Sequence, residues 1–254
     1  GSNITLNVCV PTPGSSEQIT QMGHSAKYDY ENGLPVLYLL HGAYGDAFSW
    51  VRYSNIDRYA QDRGIVVVMA SAENSFYQDL RSGKKYKTFF TEELPLFIRN
   101  VFPVSREREK TFIAGFSMGG YGAWYLALSS PELYAKAASM SGALDIAGLY
   151  QAAAAGNNDN NPFHWEDCFG DPDKLAGSDY DLFTLYDRDV KNGCVPKLYQ
   201  AVGRDDFLYP SNVYVRKLLE QKQADLTYEE DKGGHDWNFW DQYIQHILDW
   251  MLHD

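Results

Sequence analysis

The segment Gly115-Phe116-Ser117-Met118-Gly119 lies between an apolar β-type run, TFIAGF, and a helix-forming run that continues as YGAWYLAL. A serine hydroxyl is a weak nucleophile unless it projects from a tight turn, and glycines at 115 and 119 let strand and helix backbones close around such a turn. The helix that begins there directs its partly positive N-terminus at any anion forming beside Ser117. The chemistry this suits is attack on an acyl carbonyl through a covalent intermediate. A glycine-rich turn that merely packs a helix on a sheet would share the five residues, but strand and helix stand where the chemical motif needs them.

Such a serine needs a base, and the base needs a carboxylate. Six histidines are available. His24 falls in a polar loop, His41 ends a strand and His164 lies in a long irregular segment. His246 and His253 fall opposite the apolar stripe of the last helix. His235 remains, in DKGGHDWNFW, after a strand and two glycines and before a helix that anchors its loop. The run KLYQAVG is followed by Arg204, Asp205 and Asp206, so either aspartate could orient the imidazole. A tetrahedral intermediate also needs two backbone donors, one just after the nucleophile and one from the loop after an earlier strand. Those amides belong to Met118 and Ala43. Phe76 and Tyr77 follow a strand end on the same edge, and Tyr44 and Trp237 adjoin the two loops. These four aromatics are candidates for substrate binding or for packing. His164, Glu166, Asp167 and Cys168 match no metal-site spacing, so no metal is expected.

The elements that must position these groups alternate. Strand-like runs cover 5–10, 36–42, 65–71, 111–116, 137–142, 197–203 and 226–233, and those such as IVVVMA are apolar on successive residues, which implies burial on both faces. Helical patterns cover 48–64, 87–102 with a kink at Pro95, 117–128, 212–223 and the C-terminus. In the last, Trp237, Trp240, Ile244, Ile247, Leu248 and Met251 form one apolar stripe. This order predicts a mostly parallel central sheet flanked by helices. Residues 145–195 hold no strand pattern and read as a packed, lid-like insertion within a single domain spanning 1–254.

Composition narrows the function. A net charge of −12 repels a phosphate backbone, so no nucleic-acid partner is expected. No apolar run is long enough to span a membrane. The opening residues show neither a basic n-region nor an apolar h-region, and Gly1-Ser2 reads as a cloning remnant. Cys9, Cys168 and Cys194 give an odd count without metal spacing. Both features favour the cytoplasm over secretion.

The motifs LYLLHGAYGDAFSW, REKTFIAGFSMGGYGAWYLAL, GRDDFLY and GGHDWNFW together resemble the bacterial tributyrin esterase branch of the esterase D group. They are also similar to carbohydrate esterase family 1, with its feruloyl and acetylxylan esterases. The resemblance implies the α/β-hydrolase fold and a cofactor-free serine esterase acting on a small-molecule or carbohydrate ester. It places nucleophile and base on Ser117 and His235 and the acid on Asp206, the fourth position of a Gly-x-x-Asp-Phe-Leu pattern. It gives the second oxyanion amide to Ala43 and makes a homo-oligomer plausible. The expected substrates are feruloyl or acetyl esters of cell-wall sugars or short acyl esters. The alternatives are a thioesterase of the S-formylglutathione hydrolase type and a binding module that keeps the scaffold without catalysis.

Overall fold

The seven β-type runs become β1 (Leu6–Cys9), β2 (Val36–Leu40), β3 (Val66–Ala70), β4 (Thr111–Phe116), β5 (Lys136–Met140), β6 (Lys197–Gly203) and β7 (Leu226–Asp231). The structure, a computed structural model, describes residues 3–14, 28–156 and 163–253. His24 and part of the 145–195 segment lie outside them. The strands form one sheet in the order β1-β3-β2-β4-β5-β6-β7, with β1 antiparallel to β3 and every other pair parallel. Val36, Tyr38 and Leu40 face one apolar core and Leu37 and Leu39 the other, which is why the run is apolar throughout. From β2 the chain turns aside to β3 and then returns past β2 to β4. The crevice at the carboxyl ends of β2 and β4 is therefore the natural ligand position of such a sheet.

Helices α1 (Ser49–Tyr53) and α2 (Ile56–Arg63) replace the single helix expected over 48–64. The break has a local cause. The Ser54 hydroxyl donates to the Trp50 carbonyl (2.6 Å) and accepts from the Ile56 amide (3.2 Å), competing with the helical ladder. Helix α3 runs through Tyr86–Thr88, a π-helical turn at Phe89–Glu93, and Leu94–Val101. Pro95, which has no amide hydrogen, sits in the first turn after that π segment, so a wide turn stands where the sequence suggests a kink.

The remaining helices are α4 (Met118–Ser129), α5 (Ile146–Ala155), α6 (Trp165–Phe169), α7 (Leu182–Asn192), α8 (Tyr209–Gln221) and α9 (Trp237–Leu252). Helices α1, α2 and α9 cover one sheet face; α3, α4 and α8 cover the other. Every residue of α4 from Met118 to Leu128 is buried, because the 145–195 segment packs on its outer side. Tyr121 donates to the Tyr180 carbonyl (2.9 Å) and Arg188 to the Leu128 carbonyl. The described part of 145–195 contains helices and no strand. Among the described residues no helix is long and apolar enough to cross a membrane.

Candidate active site

Ser117 joins β4 to α4 with φ 55° and ψ −120°, a conformation that L-residues avoid. The surroundings hold it there. Its amide donates to the Met140 carbonyl (2.9 Å), and its carbonyl accepts from the amides of Gly120 (3.0 Å) and Ala143 (3.2 Å). A Cβ at 115 would lie 2.3 Å from the Gly119 carbonyl oxygen, and one at 119 would lie 2.5 Å from that of His41. Only glycine at both positions lets the elbow close.

The loop after β7 carries His235 to this turn. Its Nε2 lies 3.0 Å from Ser117 Oγ, and its Nδ1 lies 2.9 Å and 3.1 Å from the two Asp206 carboxylate oxygens. These contacts assign the tautomer: Nδ1–H donates to the carboxylate, and Nε2 is free to accept the serine proton. Asp206 is 4% exposed, whereas Asp205 is exposed and its amide donates to the Gly233 carbonyl (2.9 Å). Burial works to raise the Asp206 carboxyl. Hydrogen bonds from His235, the Ser141 hydroxyl and the Leu208 amide outweigh it and hold the group below the ordinary carboxylate range.

Two of the groups supporting this line are not apparent from sequence. Ser141, at φ 49°, stands at the end of β5, and its Oγ also accepts from Trp240 Nε1 (3.2 Å). Trp240 meets the His235 ring edge-on (centroids 5.0 Å, 89°) and stacks on Phe116 (4.2 Å). On the sequence Trp240 reads only as core, because His235 lies in the loop before the helix and no helical spacing links the two.

The loop after β2 is pinned from several sides. The Tyr44 amide, at φ 60°, donates to Asn74 Oδ1 (2.8 Å), and Tyr77 donates to the His41 carbonyl (2.8 Å). His41 is fully enclosed, accepts from the Ala72 amide at Nε2 (2.9 Å) and donates from Nδ1 to the Gly42 carbonyl (2.7 Å). Burial lowers its pKa, and Nε2, in accepting from the Ala72 amide, carries no proton. The amides of Ala43 and Met118 make no hydrogen bond within the described residues. Both amides are therefore unengaged donors.

Burial sorts the four candidate aromatics. Tyr77 is wholly buried, its ring against Gly122, and Phe76 is 3% exposed among Tyr121, Trp165 and Phe169. Both take packing, one of the two roles the sequence leaves open, and Tyr77 additionally holds the loop after β2. Trp237 is partly buried against Trp50, Tyr53 and Phe116, and Tyr44 is 71% exposed with its ring near Phe163. Asp167 is engaged by the Ser82 amide and hydroxyl (2.7 Å each), and burial pushes the Cys168 thiol up to about 12. Among the described residues no group of three or more His, Cys, Asp or Glu could hold a metal ion.

Sheet, elbow and hydrogen-bonded line define a serine hydrolase of the α/β-hydrolase fold. The chain belongs to the Esterase family, whose model matches residues 24–251. It is 40% identical over 231 residues to an acetyl esterase of Caldicellulosiruptor saccharolyticus, covering 88% of this chain and 85% of that protein. Two solved Staphylococcus aureus structures are each 30% identical and cover 98% of this chain and 92% of theirs. One is the fluorophosphonate-binding serine hydrolase FphF with substrate bound (TM-score 0.83), the other the S-formylglutathione hydrolase FrmB (TM-score 0.80). This protein is a carboxylic ester hydrolase.

Proposed function

We propose that Ser117, His235 and Asp206 are the catalytic triad, that the Ala43 and Met118 amides are the oxyanion hole, and that the substrates are short acyl esters, acetyl esters of carbohydrates foremost. The observation that carries the triad is the continuous line of contacts from Ser117 Oγ through His235 to Asp206, at 3.0 and 2.9 Å. In the first step Oγ attacks the ester carbonyl while His235 takes its proton. The oxyanion is met by the two amides, the C–O bond to the alcohol breaks, and His235 returns the proton to the departing oxygen. Water then attacks the acyl-enzyme with His235 again as base. Asp206 remains ionised and holds the imidazolium that forms in each step. The segment at 145–195 acts in this reading as a lid beside the oxyanion loop, which its Phe163 meets at Tyr44 (centroids 5.8 Å).

The preference for acetyl esters is supported by the 40% identical acetyl esterase. The motif resemblance extends the reading to feruloyl and tributyrin-type acyl groups. The test is the initial rate on p-nitrophenyl acetate, tributyrin and methyl ferulate, with Ser117→Ala as blank. Turnover of the acetate far above the ferulate supports the acetyl reading. Comparable rates on both move the substrate to hydroxycinnamoyl esters, and Ser117-independent turnover overturns the triad.

A second reading is favoured by the 30% identity to FrmB: hydrolysis of the thioester S-formylglutathione. Rates on that thioester exceeding those on every oxygen ester would select it.

A further inference from the structure

We propose that Phe207 is the platform on which the alcohol part of the ester rests, and that it selects alcohols presenting a ring face, such as pyranoses, over open-chain ones. This rests on the triad reading and adds the alcohol side to it.

Phe207 follows the acid Asp206 directly, yet it is 73% exposed and its ring lies 4.5 Å, centroid to centroid, from the His235 imidazole at a 47° tilt. It is the most exposed large hydrophobic side chain among the described residues, and it stands against the imidazole. The backbone beneath it is rigid. The Asp206 amide donates to the Gly203 carbonyl (3.1 Å), the Tyr209 amide to the Asp206 carbonyl (2.9 Å), and the Leu208 amide to Asp206 Oδ1 (2.8 Å). Phe207 therefore stands at the apex of a fixed turn, and the ring is presented rather than loosely exposed.

The reaction places the alcohol there. With the carbonyl carbon at Ser117 Oγ and its oxygen at the Ala43 and Met118 amides, the leaving oxygen must come within hydrogen-bond reach of His235 Nε2, which protonates it as the C–O bond breaks. Carbons attached to that oxygen leave past the imidazole, and the first exposed apolar surface beside the imidazole is Phe207. A ring face of matching size gains packing on the phenyl that a small alkyl group cannot. The acyl group is attached to the carbonyl carbon on the side away from the leaving oxygen.

The experiment compares cyclohexyl acetate with isopropyl acetate, two secondary-alcohol esters with one acyl group, on the native enzyme and on Phe207→Ala and Phe207→Tyr. Native enzyme should prefer the cyclohexyl ester in kcat/KM, which reports the step that expels the alcohol. Phe207→Ala should lose about five- to tenfold on cyclohexyl acetate and less than about twofold on isopropyl acetate, while Phe207→Tyr keeps the preference. Equal losses on both esters would mean that Phe207 only shields His235, and no loss on either would mean that it does nothing; each overturns the proposal. Absence of Ser117-dependent turnover of both esters by native enzyme would instead count against the triad reading. Thermal unfolding of the variants checks that they are folded.

Discussion

Gly203 and Gly233 touch backbone to backbone: a Cβ at 203 would lie 2.1 Å from the Gly233 carbonyl oxygen. Gly203 ends β6 just before Asp206, and Gly233 follows β7 just before His235. This contact brings the Asp206 loop against the His235 loop, and the Asp205 amide seals it by donating to the same carbonyl (2.9 Å). Gly203→Ala should push the loops apart, lowering stability by about 1–3 kcal/mol and kcat by about a hundredfold. Urea unfolding and p-nitrophenyl acetate kinetics measure the two. Retained kcat would show that the loop spacing is not what sets the His235 position.

The two aspartates offer a direct contrast. Asp206→Asn keeps the shape but offers an amide where Nδ1–H needs an acceptor, so kcat should fall by about ten-thousandfold. Asp205→Asn, at an exposed side chain, should leave it within about twofold. Equal losses in the two variants would sink the assignment of Asp206.

How much of this was legible in the chain depends on the distance between partners. The inner strands announce themselves because they are short runs buried on both faces, Val66–Ala70 being apolar at every residue, whereas the edge strands β1 and β7 are only partly buried. Ser117 is legible because strand, turn and helix are contiguous. His235 and Asp206 follow from chain order and from a motif resemblance. What could not be read depends on contacts between remote segments. Ser141 reaches Asp206 and Trp240 across intervening elements, and Tyr77, in the loop after β3, finds its slot only where Gly122 leaves room on α4. Position after a strand end leaves Phe76 and Tyr77 open between lining a pocket and packing, because nothing local reveals that residues 163–195 and α4 close over them. The break at Ser54 is local, but it depends on a hydroxyl choosing backbone partners over water, which periodicity does not register.

His41 gives the stability a specific pH dependence. Its pKa is lowered in the folded protein, by burial foremost, relative to the roughly 6.5 of an exposed imidazole. The unfolded chain therefore takes up a proton before the folded one does, and stability present above about pH 6.5 is lost as pH falls toward the depressed folded value. Asp206, also lowered, adds a separate loss that starts only near the ordinary carboxylate range, at about pH 4. Urea midpoints measured from pH 7.5 to 5 should fall for the native protein and fall less steeply for His41→Gln. Identical slopes would remove His41 as the cause.

Ser141 permits its hydroxyl and its backbone to be tested separately. The hydroxyl serves Asp206 and accepts from Trp240 Nε1, so Ser141→Ala leaves a buried indole N–H unpaired and should cost about 1–3 kcal/mol. It should also lower kcat about tenfold with KM unchanged, since an acid that has lost a partner orients His235 less well only as charge develops. Ser141→Gly removes the same hydroxyl but relieves the φ of 49°, a strain worth about 1–3 kcal/mol. The glycine variant should therefore regain stability over the alanine variant while remaining equally slow. If kcat recovers together with stability, backbone strain and not the hydroxyl governs the acid, and the role given to Ser141 fails.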